Sequence, residues 1–114
     1  MAPLKDRDIR GAFLEALGPL KRCNYVVWRP LAAGWLSENL EGWTQQDVAN
    51  LMYEHINAGE AIDQVVETRS PWKDENDFHY DFRPFIEGRK IYLETLIDQR
   101  SPGPTVLIVN MKYA

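Results

Sequence analysis

Apolar residues recur at helical spacing in the first half of the chain and at alternating spacing in the second. Over residues 6–20, Ile9, Phe13, Ala16, Leu17 and Leu20 repeat at three and four, a stripe that Asp6 or Asp8 can cap and Gly18-Pro19 ends. Cys23-Asn-Tyr-Val-Val-Trp28 is a short β-rich run that reads equally as a strand or a buried connector. Leu31 to Leu40 places Leu31, Trp35 and Leu36 at helical spacing with glycines close by, which predicts a short helix. Thr44-Gln-Gln-Asp47 is an N-terminal capping pattern, and Val48, Leu51, Met52, His55 and Ile56 then continue the stripe until Asn57-Ala-Gly59 stops it.

After Gly59 the period becomes two. Ile62 to Arg69 predicts a strand, and Ser70 to Asp77 a polar, acidic connection. Phe78, Tyr80 and Phe82 alternate with His79, Asp81 and Arg83, so one set faces the core and the other faces away. Pro84 ends that strand and Glu87-Gly88 turns the chain. Lys90 to Ile97 returns with Ile91, Leu93, Thr95 and Ile97 opposite Tyr92, Glu94 and Leu96. Ser101-Pro-Gly-Pro104 is another turn cluster, and Thr105 to Lys112 the last strand. Short connections predict an antiparallel meander. Helices first and strands afterwards give an α+β fold, with helices packed on one face of a three- to four-stranded antiparallel sheet.

The length of 114 residues suits one domain over residues 1–114. Cys23 is the only cysteine, so no internal disulfide or cysteine-type zinc site is expected, and a reducing cytoplasm suits that usage. It lies beside Lys21-Arg22, but a lone cysteine before an apolar run reads as a buried hydrophobe. No apolar run has the length of a membrane helix, and the first eight residues hold no apolar leader, so no membrane partner is expected. The charge of −4 lacks the basic footprint of most nucleic-acid binders, so a polynucleotide substrate would need a local cationic patch.

That patch has candidates on the outward face: His79, Asp81 and Arg83, joined by Tyr92, Glu94, Asn110 and Lys112 from neighbouring strands. A carboxylate, an imidazole and cations together can cleave RNA through its own 2′-OH: one group takes the proton, a second protonates the leaving oxygen, and Arg or Lys stabilises the charge. This chemistry requires no metal or other cofactor. The same alternation is also what the solvated face of any antiparallel sheet displays. His55, on the apolar stripe, reads as a core or boundary histidine, and neither histidine has a known metal spacing. Trp28, Trp35, Trp43 and Trp72 read as core and boundary anchors; exposed, they would favour a protein interface.

Phe82-Arg83-Pro84, Gly88, Tyr92-Leu93-Glu94 and Val106-Leu107-Ile108-Val109 followed by Lys112 together resemble the RNase toxins of the motility quorum-sensing regulator (MqsR) type, a branch of the RelE-like and barnase-like ribonuclease architecture. The resemblance covers the C-terminal third. It implies that Lys112 serves cleavage and that Arg83 is the strand-end arginine. Phe82 stands where that family has a catalytic tyrosine, with Tyr80 or Tyr92 to substitute. Glu94 stands where it has lysine, which either moves the chemistry toward a glutamate and histidine pair, as in barnase-like enzymes, or ends RNA cleavage.

The leading expectation is therefore a cytoplasmic, metal-independent endoribonuclease of a toxin–antitoxin system. His79 and Glu94 are its acid/base candidates, Arg83 and Lys112 hold phosphate, Tyr80 or Tyr92 stacks on a base, and Asn110 completes the substrate set. RNA and an antitoxin are the expected partners. The rival is a non-catalytic acidic module, an inhibitor or phage-encoded regulator, that binds a basic protein through Asp74-Glu75-Asn76-Asp77 and its tryptophans.

Overall fold

The computed structural model describes residues 2–18, 25–100 and 102–114. In chain order the elements are β1 (Ala2–Pro3), α1 (Arg7–Leu17), β2 (Val26–Trp28), α2 (Pro30–Asn39), α3 (Gln45–Asn57), β3 (Ile62–Val66), β4 (Phe78–Phe82), β5 (Phe85–Ile86), β6 (Arg89–Asp98) and β7 (Thr105–Tyr113), with a 3-10 turn at Trp72–Asp74. Among the described residues the fold is α+β, with three helices and a seven-stranded, mostly antiparallel sheet in the order β1-β3-β4-β6-β7-β2; β5 pairs with β6 off this path.

Side-chain caps start α1 and α3, and a proline starts α2. The Asp6 carboxylate accepts from the backbone N–H of Asp8 at 2.8 Å and of Ile9 at 3.2 Å, satisfying two orphan donors of α1. Pro30 opens α2, where its fixed φ suits the first turn and its missing N–H costs nothing. Thr44 and Asp47 form a reciprocal capping box at α3: Asp47 N–H donates to the Thr44 hydroxyl at 3.1 Å, and Thr44 N–H donates to the Asp47 carboxylate at 2.9 Å. Helix α1 ends at Leu17 with Gly18 as its C-cap, the stop that Gly18-Pro19 predicts; Pro19, Leu20, Lys21, Arg22 and Cys23 lie outside the described residues.

The helices and one sheet face enclose the core. Phe13 and Leu17 of α1, Ala32 and Leu36 of α2, and Val48, Met52 and Ile56 of α3 pack with Ile62, Tyr80, Phe82, Leu93, Ile108 and Met111 of the sheet. Phe13 meets Tyr80 and Phe82 edge-on, with centroids 5.5 and 5.4 Å apart. His55 fills a boundary position: its Nε2 lies 2.8 Å from the Ala61 carbonyl and its ring 5.6 Å from that of Phe82. The meander β3-β4-β6-β7 is antiparallel throughout. Glu87 at φ 51° and Gly88 at φ 80° turn β5 into β6, a backbone that Gly88 adopts without a Cβ penalty.

The sheet is wider than the expected three to four strands because short segments extend it. Ala2 and Pro3 pair with Gln64 and Asp63 at one edge, and Val26–Trp28 pairs in parallel with Val106–Ile108 at the other. The strand alternative for the Cys23–Trp28 run thus holds for its last three residues. The register shifts between Glu94 and Thr95, where Val109 of β7 is left without a partner on β6.

Candidate functional site

Strand register decides which polar residues meet on the face away from the helices. Asp63, Asp81, Glu94 and Asn110 form one row across β3, β4, β6 and β7. His79 is paired with Val65 on one side of this row, and Tyr92 with Lys112 on the other. Antiparallel neighbours in such a row stand about 5 Å apart, so carboxylates two strands wide repel strongly unless cations or protons intervene.

Four groups supply that compensation. His79 Nδ1 lies 2.8 Å from Asp81 Oδ1. Arg69, just beyond β3, donates to both Glu67 oxygens at 3.0 Å and also to Glu94 Oε2, bridging two buried carboxylates. Arg83 pairs with Asp63. Tyr92 donates its hydroxyl to Glu94 Oε1 at 3.1 Å, while its ring receives the Arg83 guanidinium at 5.3 Å and the Lys112 ammonium at 5.1 Å. Glu67 and Glu94 thus share the Arg69 guanidinium, Asp63 has that of Arg83, and Asp81 has the His79 ring.

Burial sharpens these interactions. Asp81 and Glu94 are each only 4% exposed. Burial pushes the Asp81 carboxyl above its usual range, with Glu94 adding to the shift and the His79 and Tyr92 contacts opposing it. Burial would also raise Glu67, but its hydrogen bonds and charge pairing with Arg69 win and hold it below the usual value. Burial, then Asp81 and Glu94, drive the Tyr92 phenol far above its ordinary range, so it stays a hydrogen-bond donor. The hydrogen bonds that Arg69 donates to Glu67 and Glu94 keep it charged.

The face is not bare. The connection from Arg69 to Asp77 lies beside one end of β6 and β7, where Trp72, Glu75 and Asn76 line a groove of about 590 Å³ with Leu96, Leu107, Gln99 and Arg100. Leu96 is buried although it points away from the helices. Arg29, following β2, sits 5.3 Å from the Trp72 ring. The centre thus has a roofed end near Trp72 and an open end at Arg83, Tyr92 and Lys112.

His79, Asp81 and Glu94 offer ligand atoms within 4.8 Å of one another, which makes them a group among the described residues able to hold a metal ion. In the present arrangement Asp81 engages His79 Nδ1 and Arg69 engages Glu94, so a cation would have to displace both contacts.

Of the residues expected at the site, His79, Arg83, Tyr92, Glu94, Asn110 and Lys112 share this face. Tyr80 does not: it is 5% exposed, lies on the helix side against Phe13, and cannot offer its ring to a substrate. That placement follows from its own alternation with Phe78 and Phe82. Arg69 and Glu67, which tie the centre together, were missed because they lie where the strand pattern fades into the connection. No protein-family model matches the chain, and neither a curated protein nor a solved structure matches it.

Proposed function

We propose that this face cleaves RNA by transesterification, as a small cytoplasmic ribonuclease of the toxin type with a RelE-like arrangement of helices on sheet. The observation that carries the reading is the pairing of Asp81 with His79 one strand away from Glu94, with Arg83 and Lys112 at the open end. Glu94, which accepts from Arg69 and Tyr92, is the general base, and His79, held beside Asp81, is the general acid. Glu94 takes the proton of a ribose 2′-OH, the 2′-oxygen bonds to the adjacent phosphorus, and the 5′-oxygen leaves with the proton from His79. The products are a 2′,3′-cyclic phosphate and a free 5′-hydroxyl. Arg83 and Lys112 stabilise the charge on the phosphoryl oxygens. The resemblance of the C-terminal third to the MqsR-type toxins supports the roles of Arg83 and Lys112, and an antitoxin covering the open end would silence the site.

The test is cleavage of a short RNA by the purified chain in the presence of a chelator. Cyclic-phosphate ends are expected, with the rate falling about 10²- to 10⁴-fold in His79→Ala and in Glu94→Gln. Intact RNA beside folded wild-type protein would overturn the reading. One observation favours the non-catalytic rival: Asp81, Glu94 and Glu67 already have protein partners, so the cluster is self-sufficient as a structural network.

A further inference from the structure

Beside the proposed catalytic centre, the groove under the Arg69–Asp77 connection has a composition that acid/base chemistry leaves unexplained. Its lining includes apolar Leu96 and Leu107, the indole of Trp72, and the amides of Asn76 and Gln99. Asn76 spends one N–H on the Trp72 carbonyl at 3.0 Å, which fixes the amide and leaves its oxygen as an acceptor. Gln99 is exposed and has no partner among the described residues. The acidic rim residues Asp98 and Glu75 are both faced by Arg100, at 2.8 and 3.8 Å. Leu96 lies two residues from Glu94 on the same strand face, a rise of about 7 Å, roughly the span from a phosphate to the base of the same nucleotide.

We propose that this groove binds an unpaired adenine of the RNA, stacked against Trp72 and read along its edge by Asn76 and Gln99. Sequence-specific RNA recognition uses unstacked bases held between an aromatic ring and hydrogen-bonding side chains. An amide that accepts and donates matches the N–H donor and ring-nitrogen acceptor of adenine. The inference deepens the ribonuclease reading and rests on it for the placement of the scissile phosphate.

The experiment titrates the full chain with adenosine 3′-monophosphate, uridine 3′-monophosphate and inorganic phosphate, following backbone amide resonances. In parallel, cut sites are mapped on an RNA containing all four bases. Adenosine 3′-monophosphate is expected to shift Asn76, Gln99 and Leu107, with uridine 3′-monophosphate at least tenfold weaker and inorganic phosphate leaving these residues still. Gln99→Ala, at an exposed position, is expected to weaken adenosine 3′-monophosphate about tenfold and to flatten base preference while RNA is still cut. Cleavage with no preference for adenine, or nucleotide shifts confined to Arg83 and Lys112, overturns the groove and leaves the ribonuclease standing. Adenine binding in the groove with RNA left uncut supports the groove and removes the ribonuclease. Neither binding nor cleavage overturns both.

Discussion

Arg69 carries more of the centre than its position in a connection suggests. It is the shared partner of Glu67 and Glu94, so removing it leaves two buried carboxylates with less compensation. Arg69→Ala should lower stability by about 2–3 kcal/mol, toward the low end for a broken buried pair because the arginine side chain itself is 46% exposed. Urea unfolding of the two proteins measures the difference. Asp81 has the opposite character. Its native pKa is raised, so the folded state holds that proton more tightly than the unfolded chain does. Its contribution is therefore most favourable below the ordinary value of 3.8 and is lost as pH rises through the higher native value. In Asp81→Asn that loss is absent, so the stability of the variant relative to wild type should climb across a series of pH values rising from 3.8. Parallel denaturation curves at those pH values, with a gap that stays constant or narrows, would contradict this account.

Local rules account well for the elements and poorly for their neighbours. The Thr44 cap, the alternation of Phe78, Tyr80 and Phe82, and the Glu87-Gly88 turn were legible because each is fixed by residues a few positions apart. Thr44→Ala should accordingly cost about 1 kcal/mol in thermal or urea unfolding, and Gly88→Ala about the same through its left-handed backbone. Strand β1 was not legible because it is only two residues long, and the parallel pairing of β2 because its partner lies near the other end of the chain. The candidate site divides the same way. Alternation placed His79 and Asp81 together, whereas the alignment of Asp81 with Glu94 needs inter-strand register, and the reach of Arg69 to Glu94 needs the path of the following connection. The tyrosine at position 80 shows that period two had already assigned it inward, as the structure places it.

At the scale of the molecule, an overall charge of −4 surrounds a small cluster of cations, so any grip on RNA is local. With Arg83 and Lys112 as the phosphate contacts, log K for a single-stranded RNA should fall against log salt with a slope of about −1.4, and Lys112→Ala should reduce the magnitude of that slope by about 0.7. Fluorescence anisotropy over a salt series reads both values; a steep slope unchanged by the substitution would place the phosphates elsewhere. The parallel edge pairing also bears on the order in which the chain assembles. The hairpins that build β3, β4, β6 and β7 close over short loops, but Val26 meets Val106 only after about eighty intervening residues have been gathered in. Strand β2 therefore belongs to the late part of folding, with a φ-value near zero at Val26 and higher values at Phe82 and Leu93. The polar row from Asp63 to Asn110 is laid down before that edge is sealed, and a nascent chain presents its charged face while the last strand is still finding its place.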